Sequence, residues 1–338
     1  MGNGRTSGKI LIVDDESRSR IALETLLRRE GFEVYAASDG SSALSACATL
    51  HPDLILLDVL MPGMDGFEVC KRIKARPETR LTPVVLITGL SETEDRIKGI
   101  NAGADDFLSK PIDLNELLAR TRSLIKLKQY TDELEHAEAV LFSLALSIEA
   151  RDPYTRGHCE RLAEMSAQLG QRLQLGDEHV TALRRAGVVH DVGKVVVPDA
   201  ILLKPARLSD DEMDIVKKHP VVGERICAPL KIFRPVLPII RHHHERFDGS
   251  GYPDHLQGTD IPLTARILQL ADVYDALTTD RPYRKADQPD VALQIMDDEA
   301  KRGWWDRELF EAFREMIRKG YPSDAIRDPA VTTRSSPA

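Results

Sequence analysis

The sequence predicts an α/β domain with a parallel sheet, followed by a helical linker and a second region whose motifs lie on helices. In the first part of the chain, short apolar segments alternate with amphipathic segments such as SRSRIALETLLRREG, a pattern typical of a parallel sheet with covering helices. In the later part, histidines and acids interrupt apolar helical runs. The length of 338 residues also exceeds the ~100–200 residues of one domain.

Four apolar segments of the first domain end in polar residues. The segment KILIVDD ends in Asp14 and Asp15, and DLILLD ends in Asp58. The third, PVVLIT, ends at Thr88, and the fourth, DFLSK, ends at Lys110. Because ligands of parallel sheets gather at the carboxyl ends of the strands, we expect these side chains to meet at one edge. Three carboxylates at that edge repel one another unless a hard cation such as magnesium lies among them.

Residues 8–125 resemble the receiver domain of two-component response regulators, which is a doubly wound five-stranded parallel sheet. The resemblance implies that a cognate sensor histidine kinase phosphorylates Asp58. The residues expected to act with it are the magnesium-binding pair Asp14 and Asp15, the hydroxyl of Thr88, the charge partner Lys110 and the switch aromatic Phe107. A Rossmann-like domain without phosphotransfer is the alternative.

The segment RHHHERFDGSGYP, residues 241–253, places three consecutive histidines before a glycine-rich turn. Adjacent imidazoles are hard to bury because each ring nitrogen needs a partner. Metal ligation meets that need for His243 and His244, and oxygen ligands in the same site favour iron or manganese. A solvated polar helix end is the alternative, and it is the role expected for His242.

Further candidate ligands precede this segment. His190 and Asp191 end an apolar helical run, and Lys194 follows them closely enough to meet a phosphate oxygen. A carboxylate in that position is costly to bury without a cation, and an aspartate can bridge two metals ~3.5–4 Å apart. His158 in RDPYTRGHCERL and His219 in DIVKKHPVVGERI are the other histidine candidates.

One predicted helix, Ala265–Leu277, is apolar but carries two acids, Asp272 and Asp275. Their spacing of three residues puts them on neighbouring positions of one face. Carboxylates in an apolar stripe need a metal or hydrogen-bond donors. The alternative is that both acids lie at the wet edge of the helix.

Taken in order, these motifs resemble the HD-GYP family of cyclic di-GMP phosphodiesterases over about residues 140–325. The resemblance implies an all-helical, metal-dependent hydrolase domain of the HD type that holds two iron or manganese ions. One ion is expected on His158, His190, Asp191 and Asp272, and the other on Asp191, His219, His243 and His244. The expected catalytic residues are Asp191 and Lys194, and the expected substrate contacts are Lys194, Tyr252, Asp275, Arg281 and Arg284. Tyr154 stands where some members have a glutamate for a third metal, so we expect two metals.

The expected activity is hydrolysis of cyclic di-GMP to pGpG, GMP or both, regulated by phosphorylation of Asp58. A catalytically silent receptor for cyclic di-GMP or for protein partners is one alternative, and another nucleotide phosphohydrolase of the HD superfamily is a second. A DNA-binding regulator is disfavoured because the C-terminal part lacks a basic recognition helix. The family also suggests a GGDEF-type cyclase as a partner.

Between the two domains, residues 126–148 are predicted to be helical. Apolar residues recur there every seven positions, with a second set three positions later: Leu127, Leu134, Leu141 and Ile148, then Tyr130, Ala137 and Leu144. Such a seam favours a homodimer, whereas packing of the half beyond Ala139 on its own metal domain is the alternative. The predicted bounds are 9–125 for the receiver domain and 140–325 for the HD-GYP domain, with disordered ends at 1–8 and 328–338.

Charge and composition argue against a nucleic-acid partner, a membrane span and a signal peptide. The net charge of −8 argues against a general nucleic-acid or membrane surface. No apolar run is long enough for a membrane span, and the start MGNGRTSGK lacks a signal-peptide core. Four cysteines, Cys47, Cys70, Cys159 and Cys227, show no CxxC pairing and are interpreted as reduced thiols. We therefore expect a cytoplasmic protein.

Overall fold

The computed structural model describes residues 8–89, 93–151, 157–280 and 285–320. The predicted disordered tail and the predicted substrate contacts Arg281 and Arg284 lie outside the described residues, as do residues 1–7 and Tyr154. The chain divides into two compact units, Met1–Ala137 and Glu138–Ala338.

A five-stranded parallel sheet forms the centre of the first unit. Its strands are β1 (Lys9–Val13), β2 (Glu33–Ala37), β3 (Leu54–Asp58), β4 (Val84–Thr88) and β5 (Asp106–Ser109). Their order is β2-β1-β3-β4-β5, and each neighbouring pair is parallel. Strands β3 and β4 are buried along their whole length, as expected for a parallel sheet covered on both faces. The predicted fold class of this domain is confirmed.

Helices cover both faces of this sheet. They are α1 (Ser17–Arg29), α2 (Gly40–Leu50), α3 (Gly66–Lys74), α4 (Thr93–Asn101) and the first part of α5 (Leu114–Glu149). Successive strand residues point to opposite faces. Ile10 and Val85 accordingly belong to one apolar cluster, and Leu11 and Leu86 belong to the other. The two faces therefore have separate cores.

Gly8 is ordered, although the sequence predicts disorder there. It is buried, and its carbonyl accepts a hydrogen bond of 3.0 Å from the backbone N–H of Glu33. A Cβ at this position would lie 2.9 Å from Cγ2 of Ile125, so the backbone passes directly against the core. This close approach, together with the sheet hydrogen bond, holds the residue in place.

A long helix, α5 (Leu114–Glu149), follows the sheet and contains the predicted linker. Leu127 and Leu134 are exposed, the latter by 46%. Leu141 is only 6% exposed and, with Ala145, belongs to the apolar core of the second unit. The predicted seven-residue seam is therefore wrong at Leu141, because this side chain is taken up by the core of its own domain. The half of the helix beyond Ala139 packs instead on its own metal domain, which was the alternative expectation.

The described residues of the second unit form helices joined by loops and turns. Its α-helices are α6 (His158–Arg172), α7 (Asp177–Val189), α8 (Asp199–Leu202), α9 (Asp210–Val216), α10 (His219–Cys227), α11 (Leu237–His242), α12 (Leu263–Thr278), α13 (Pro289–Lys301) and α14 (Arg307–Arg318). Short 3-10 helices span Val192–Val196, Lys231–Phe233 and Gly258–Asp260. Helices α6, α7 and α12 pack against one another. A Cβ at Gly187 would lie 2.4 Å from Cα of Ala163, so glycine is what allows α6 and α7 to approach this closely.

Two expectations from composition concern membrane-spanning helices and the state of the cysteines. No helix in the described ranges combines the length and the apolar content of a membrane-crossing segment. The four cysteines are free thiols, and all of them are buried. Burial raises the pKa of the Cys47 and Cys70 thiols to about 11, so both stay protonated at neutral pH.

The contrast between the two parts of α5 predicts unequal effects of truncation. Leu141→Ala should lower the free energy of unfolding by about 2–4 kcal/mol, because it removes buried contacts and leaves a cavity. Leu134→Ala, at an exposed position of the same helix, should change it by less than about 0.5 kcal/mol. Urea denaturation followed by circular dichroism at low protein concentration measures both. Equal losses would contradict the division of the helix into buried and exposed parts.

Candidate active site

The polar residues that end the strands of the first unit meet at its carboxyl edge. Carboxylate oxygens of Asp14, Asp15 and Asp58 lie within 4.8 Å of one another. Lys110 Nζ donates to Asp58 Oδ2 at 2.9 Å and lies 3.6 Å from Asp14 Oδ2. Burial raises the pKa of Asp58, and Lys110 opposes this effect without cancelling it. The three carboxylates and the lysine form the kind of oxygen-rich site that suits magnesium.

Thr88 and Phe107 lie on the two strands next to this site. Thr88 ends β4 and pairs with Ser109 of β5, and it is buried. Phe107 is half-buried beneath α4, where a Cβ at Gly99 would come within 2.4 Å of its ring. The ring of the proposed switch aromatic therefore packs directly against the backbone of α4 at Gly99.

In the second unit, the ligands that the sequence predicts form two adjacent groups. Within each group, the potential ligand atoms lie within 4.8 Å of one another. The Asp191 group consists of Asp191, His219, His243 and His244, and the His158 group consists of His158, His190 and Asp272. His190 Nε2 lies 3.2 Å from Asp191 Oδ2, while Asp191 Oδ1 lies 3.2 Å from His219 Nε2. The two oxygens of Asp191 therefore face different groups.

Three of these residues lie at helix ends. His158 begins α6, His190 follows the last residue of α7, and His219 begins α10. A Cβ at Gly193 would lie 2.0 Å from the carbonyl oxygen of His219, so this glycine allows α10 to approach the residues after α7. That close approach places His219 beside Asp191.

Three of the histidines are oriented in the same way by the backbone. In His190, His219 and His243, Nδ1 lies 3.2, 2.7 and 2.6 Å from the carbonyl oxygen of the residue three positions earlier. A ring that donates from Nδ1 keeps the lone pair of Nε2 free for a metal. The Nε2 atoms of His219 and His243 lie 3.2 Å apart, so both lone pairs point into one small space.

The charge states of three members of the Asp191 group fit a divalent ion. Burial and the neighbouring imidazoles lower the pKa of His243 well below its usual value, and burial with His219 lowers that of His244 to about 3. Burial alone would raise the pKa of Asp191, but Lys194 and His190 hold it well below its ordinary value. Neutral imidazoles and an ionised carboxylate are the states that metal binding requires.

Two buried atoms of the cluster also lack hydrogen bonds. His190 Nε2 and Asp191 Oδ1 have none to the described residues, although both lie inside the cluster. Lys194 Nζ is 2.5 Å from Asp191 Oδ2, so its cation lies beside the shared carboxylate. These atoms match the donor set of a metal centre.

Asp275, which the sequence predicts to contact the nucleotide, is buried beside His158. Its Oδ2 is 2.7 Å from Nδ1 of His158, and its Oδ1 accepts a hydrogen bond of 2.5 Å from Nε of Arg161. With 3% exposure and both oxygens engaged, Asp275 sits behind His158 and orients it. The HxxR spacing of His158 and Arg161 on one helix face was the available signal for this arrangement.

His242 lies apart from the metal ligands, as the sequence predicts. Its Nε2 is 3.0 Å from Asp254 Oδ2, and its Nδ1 is 2.9 Å from the carbonyl of Pro238. Arg241 also binds Asp254, through bonds of 2.6 and 2.8 Å. The first histidine of the three therefore helps to fix the loop that follows the Gly-Tyr-Pro turn.

This turn packs on the backbone of the histidine segment. A Cβ at Gly251 would lie 2.4 Å from Cα of Glu245, so only glycine fits there. Glu245, which the sequence reasoning missed, is fully buried and accepts a hydrogen bond of 2.7 Å from the N–H of Asp254. The ring of Tyr252 stacks on His244 with centroids 4.8 Å apart.

A cavity of about 460 Å³ opens beside the ligands. Its walls include His244, Tyr252, Asp272, Arg246, Lys217 and Trp305. A volume of this order is typical of small-molecule sites. The cavity therefore offers a bound ligand both metal-binding side chains and cations.

Family models match both parts of the chain. A model of the response regulator receiver domain matches residues 10–122, and a model of the HD domain matches residues 143–309. The cyclic di-GMP phosphodiesterase response regulator RpfG of Xanthomonas campestris pv. campestris (strain 8004) is 38% identical over 310 residues, which cover 85% of this chain and 82% of that protein. The chain belongs to the HD-GYP family of response regulators.

Two further relatives place this HD-GYP response regulator among similar proteins. A cyclic di-GMP phosphodiesterase of Thermotoga maritima is 32% identical over 340 residues, 92% of this chain and 90% of that protein. The 3'3'-cGAMP-specific phosphodiesterase 3 of Vibrio cholerae is 36% identical over 182 residues, 54% of this chain and 39% of that protein. Family membership implies a metal-dependent hydrolase domain that binds divalent ions, and a kinase partner for the receiver domain.

The shared position of Asp191 predicts how metal content responds to mutation. Asp191→Ala should strongly reduce divalent metal bound per chain, because one change removes a carboxylate that faces both groups. His242→Ala, one residue from a ligand but bonded to Asp254, should leave the metal content unchanged. Inductively coupled plasma mass spectrometry on anaerobically purified protein measures both. Full metal content in Asp191→Ala would contradict a shared ligand.

The position of Asp275 predicts a metal-binding defect rather than a substrate-binding defect. Asp275→Asn should weaken metal affinity about 10-fold or more, because loss of the charged partner frees the orientation of His158. Competition with a chromophoric chelator measures this affinity without any turnover. If metal affinity is unchanged and only KM rises, Asp275 contacts the nucleotide after all.

Proposed function

We propose that this protein hydrolyses cyclic di-GMP to pGpG, GMP or both in its HD-GYP domain, and that phosphorylation of Asp58 regulates the reaction. The observation that carries the proposal is the pair of ligand groups joined at Asp191 beside a cavity of about 460 Å³. The names of the relatives from Xanthomonas and Thermotoga support cyclic di-GMP as the substrate.

The ligand set favours two iron or manganese ions. Five histidines and two aspartates provide mixed nitrogen and oxygen donors, which suit these metals better than magnesium. When bound, such a pair of ions lowers the pKa of water and polarises a phosphoryl oxygen. The three carboxylates of the receiver site favour magnesium instead.

The side chains around the metal ligands would bind and orient the substrate. Lys194 brings a cation to the phosphoryl group, where negative charge grows during the reaction. Burial and the carboxylates of Asp191 and Asp272 raise the pKa of Tyr252, so its phenol stays protonated and can donate a hydrogen bond. Its stacking on His244 holds the phenol at the cavity wall.

Regulation would pass through α5. The receiver site lies in the unit that contains the first part of this helix, and the last part belongs to the core of the metal domain. The exposed residues Leu127, Tyr130 and Leu134 repeat at heptad spacing and support a homodimer through this segment. A cognate histidine kinase is the proposed phosphoryl donor.

Hydrolysis by the metal-loaded protein tests the proposed activity. Wild type and His242→Ala should convert cyclic di-GMP at similar rates, whereas Asp191→Ala should be inactive because its metal groups lose their shared ligand. Chromatography of the products also identifies pGpG and GMP. Binding without turnover in metal-loaded wild type would favour a silent receptor. Faster turnover of 3'3'-cGAMP would favour a different cyclic dinucleotide as substrate.

Regulation is tested with a phosphoryl mimic. Beryllofluoride with magnesium should change the turnover or the oligomeric state of the wild-type protein, because it binds the Asp58 carboxylate as a phosphoryl group does. Asp58→Asn should not respond. Steady-state kinetics and light scattering measure the two properties. The absence of any response in wild type would contradict regulation through Asp58.

A further inference from the structure

Arg246 is a cation of the cavity wall that the proposed mechanism does not use. It follows His244 by two residues and lines the cavity beside the metal ligands. Its guanidinium carbon lies 3.8 Å from the centre of the Trp304 ring, a stacked arrangement that holds the guanidinium plane.

The other inward arginines of this domain are already engaged. Arg161 binds Asp275, Arg241 binds Asp254 and Glu224, and Arg266 is paired with Asp306. Within the described ranges, the guanidinium of Arg246 makes no hydrogen bond or ion pair. A guanidinium has five N–H donors, so Arg246 has unused hydrogen-bonding capacity at the cavity.

The backbone around Arg246 is held in place. The N–H of Gly249 donates to the carbonyl of Arg246 at 2.8 Å, and the N–H of Phe247 donates to the carbonyl of Trp304 at 3.0 Å. A Cβ at Gly251 would lie 2.3 Å from the backbone nitrogen of Arg246. The arginine and its stacking partner are therefore tied to each other and to the Gly-Tyr-Pro turn, and little ordering remains for ligand binding.

The cavity that Arg246 lines offers apolar surface to a flat base. Met213, Val273 and Trp305 line the same cavity and present apolar surface. The scissile phosphate has to lie at the metal ligands, where Lys194 is bonded to Asp191. The base of the nucleoside that carries this phosphate would extend away from the ligands into the cavity.

Guanine and adenine differ where an arginine reads them. Guanine presents two acceptors, O6 and N7, to the parallel N–H groups of a guanidinium, whereas adenine has an amino donor in place of O6. We propose that Arg246 binds O6 and N7 of one guanine of the substrate and thereby selects guanine over adenine. The proposal rests on the cyclic dinucleotide hydrolysis proposed above and assigns Arg246 as a specificity residue for it.

Three variants test this role. Arg246→Ala removes the guanidinium, and Arg246→Lys keeps the charge but loses the planar fork. Arg302→Ala is the matched control, because Arg302 also lies over Trp304, at 5.7 Å, but is exposed and does not line the cavity. Cyclic di-AMP is the comparison ligand, since it lacks guanine at both positions and cannot compensate by turning around.

Two measurements are made on each full-length protein. One is kcat/KM of the metal-loaded enzyme for cyclic di-GMP and for cyclic di-AMP. The other is calorimetric binding of the same two ligands to metal-free protein. The preference for cyclic di-GMP should fall about 10-fold or more in both Arg246 variants, mainly through weaker binding. Arg302→Ala should keep the wild-type preference, and all three variants should keep the wild-type metal content.

The possible results separate the two proposals. If Arg246→Lys keeps the preference while Arg246→Ala weakens both ligands equally, Arg246 is a phosphate contact and the guanine assignment is overturned. Wild-type preference in both Arg246 variants, or no preference in wild type, also overturns it. If metal-loaded wild type hydrolyses neither ligand, the proposed activity fails. The binding preference of the metal-free protein still decides the role of Arg246.

Discussion

The carboxylate of Asp191, shared between two groups of imidazoles, is the interaction on which the second domain depends. Its oxygens lie 3.2 Å from Nε2 of His190 and of His219. Burying several polar groups this close together is unfavourable unless a cation lies among them. His158, His190 and His219 lie at helix ends and Asp272 lies within α12, so the packing of these helices also assembles the candidate ligands.

Around this centre, hydrogen bonds orient the ligands before any metal binds. Backbone carbonyls hold Nδ1 of His190, His219 and His243, whereas a carboxylate, Asp275, holds that of His158. Arg161 offsets the buried charge of Asp275. A preoriented ligand loses little conformational entropy on binding, which makes such partners nearly as important as the ligands themselves.

The Gly-Tyr-Pro turn connects the metal ligands to the cavity. It packs on the backbone of the histidine segment, so it carries Tyr252 to one wall and holds Arg246 at another. The same short segment therefore provides two candidate metal ligands and two side chains that line the cavity. In the receiver domain, strand ends achieve a similar convergence, with Asp14 and Asp58 meeting Lys110.

Residue type and local order by themselves determined the fold class and located the strand-end carboxylates and the candidate metal ligands, because these signals are contained in short motifs such as KILIVDD and HHERFDGSGYP. The contacts of Asp275, Arg246 and Leu141 were decided only by the tertiary structure. Asp275 meets His158 across 117 positions of sequence, Arg246 stacks on Trp304 from a different part of the chain, and Leu141 is buried by helices that follow it. A local pattern specifies which face a side chain occupies, whereas packing between distant segments specifies what that face meets.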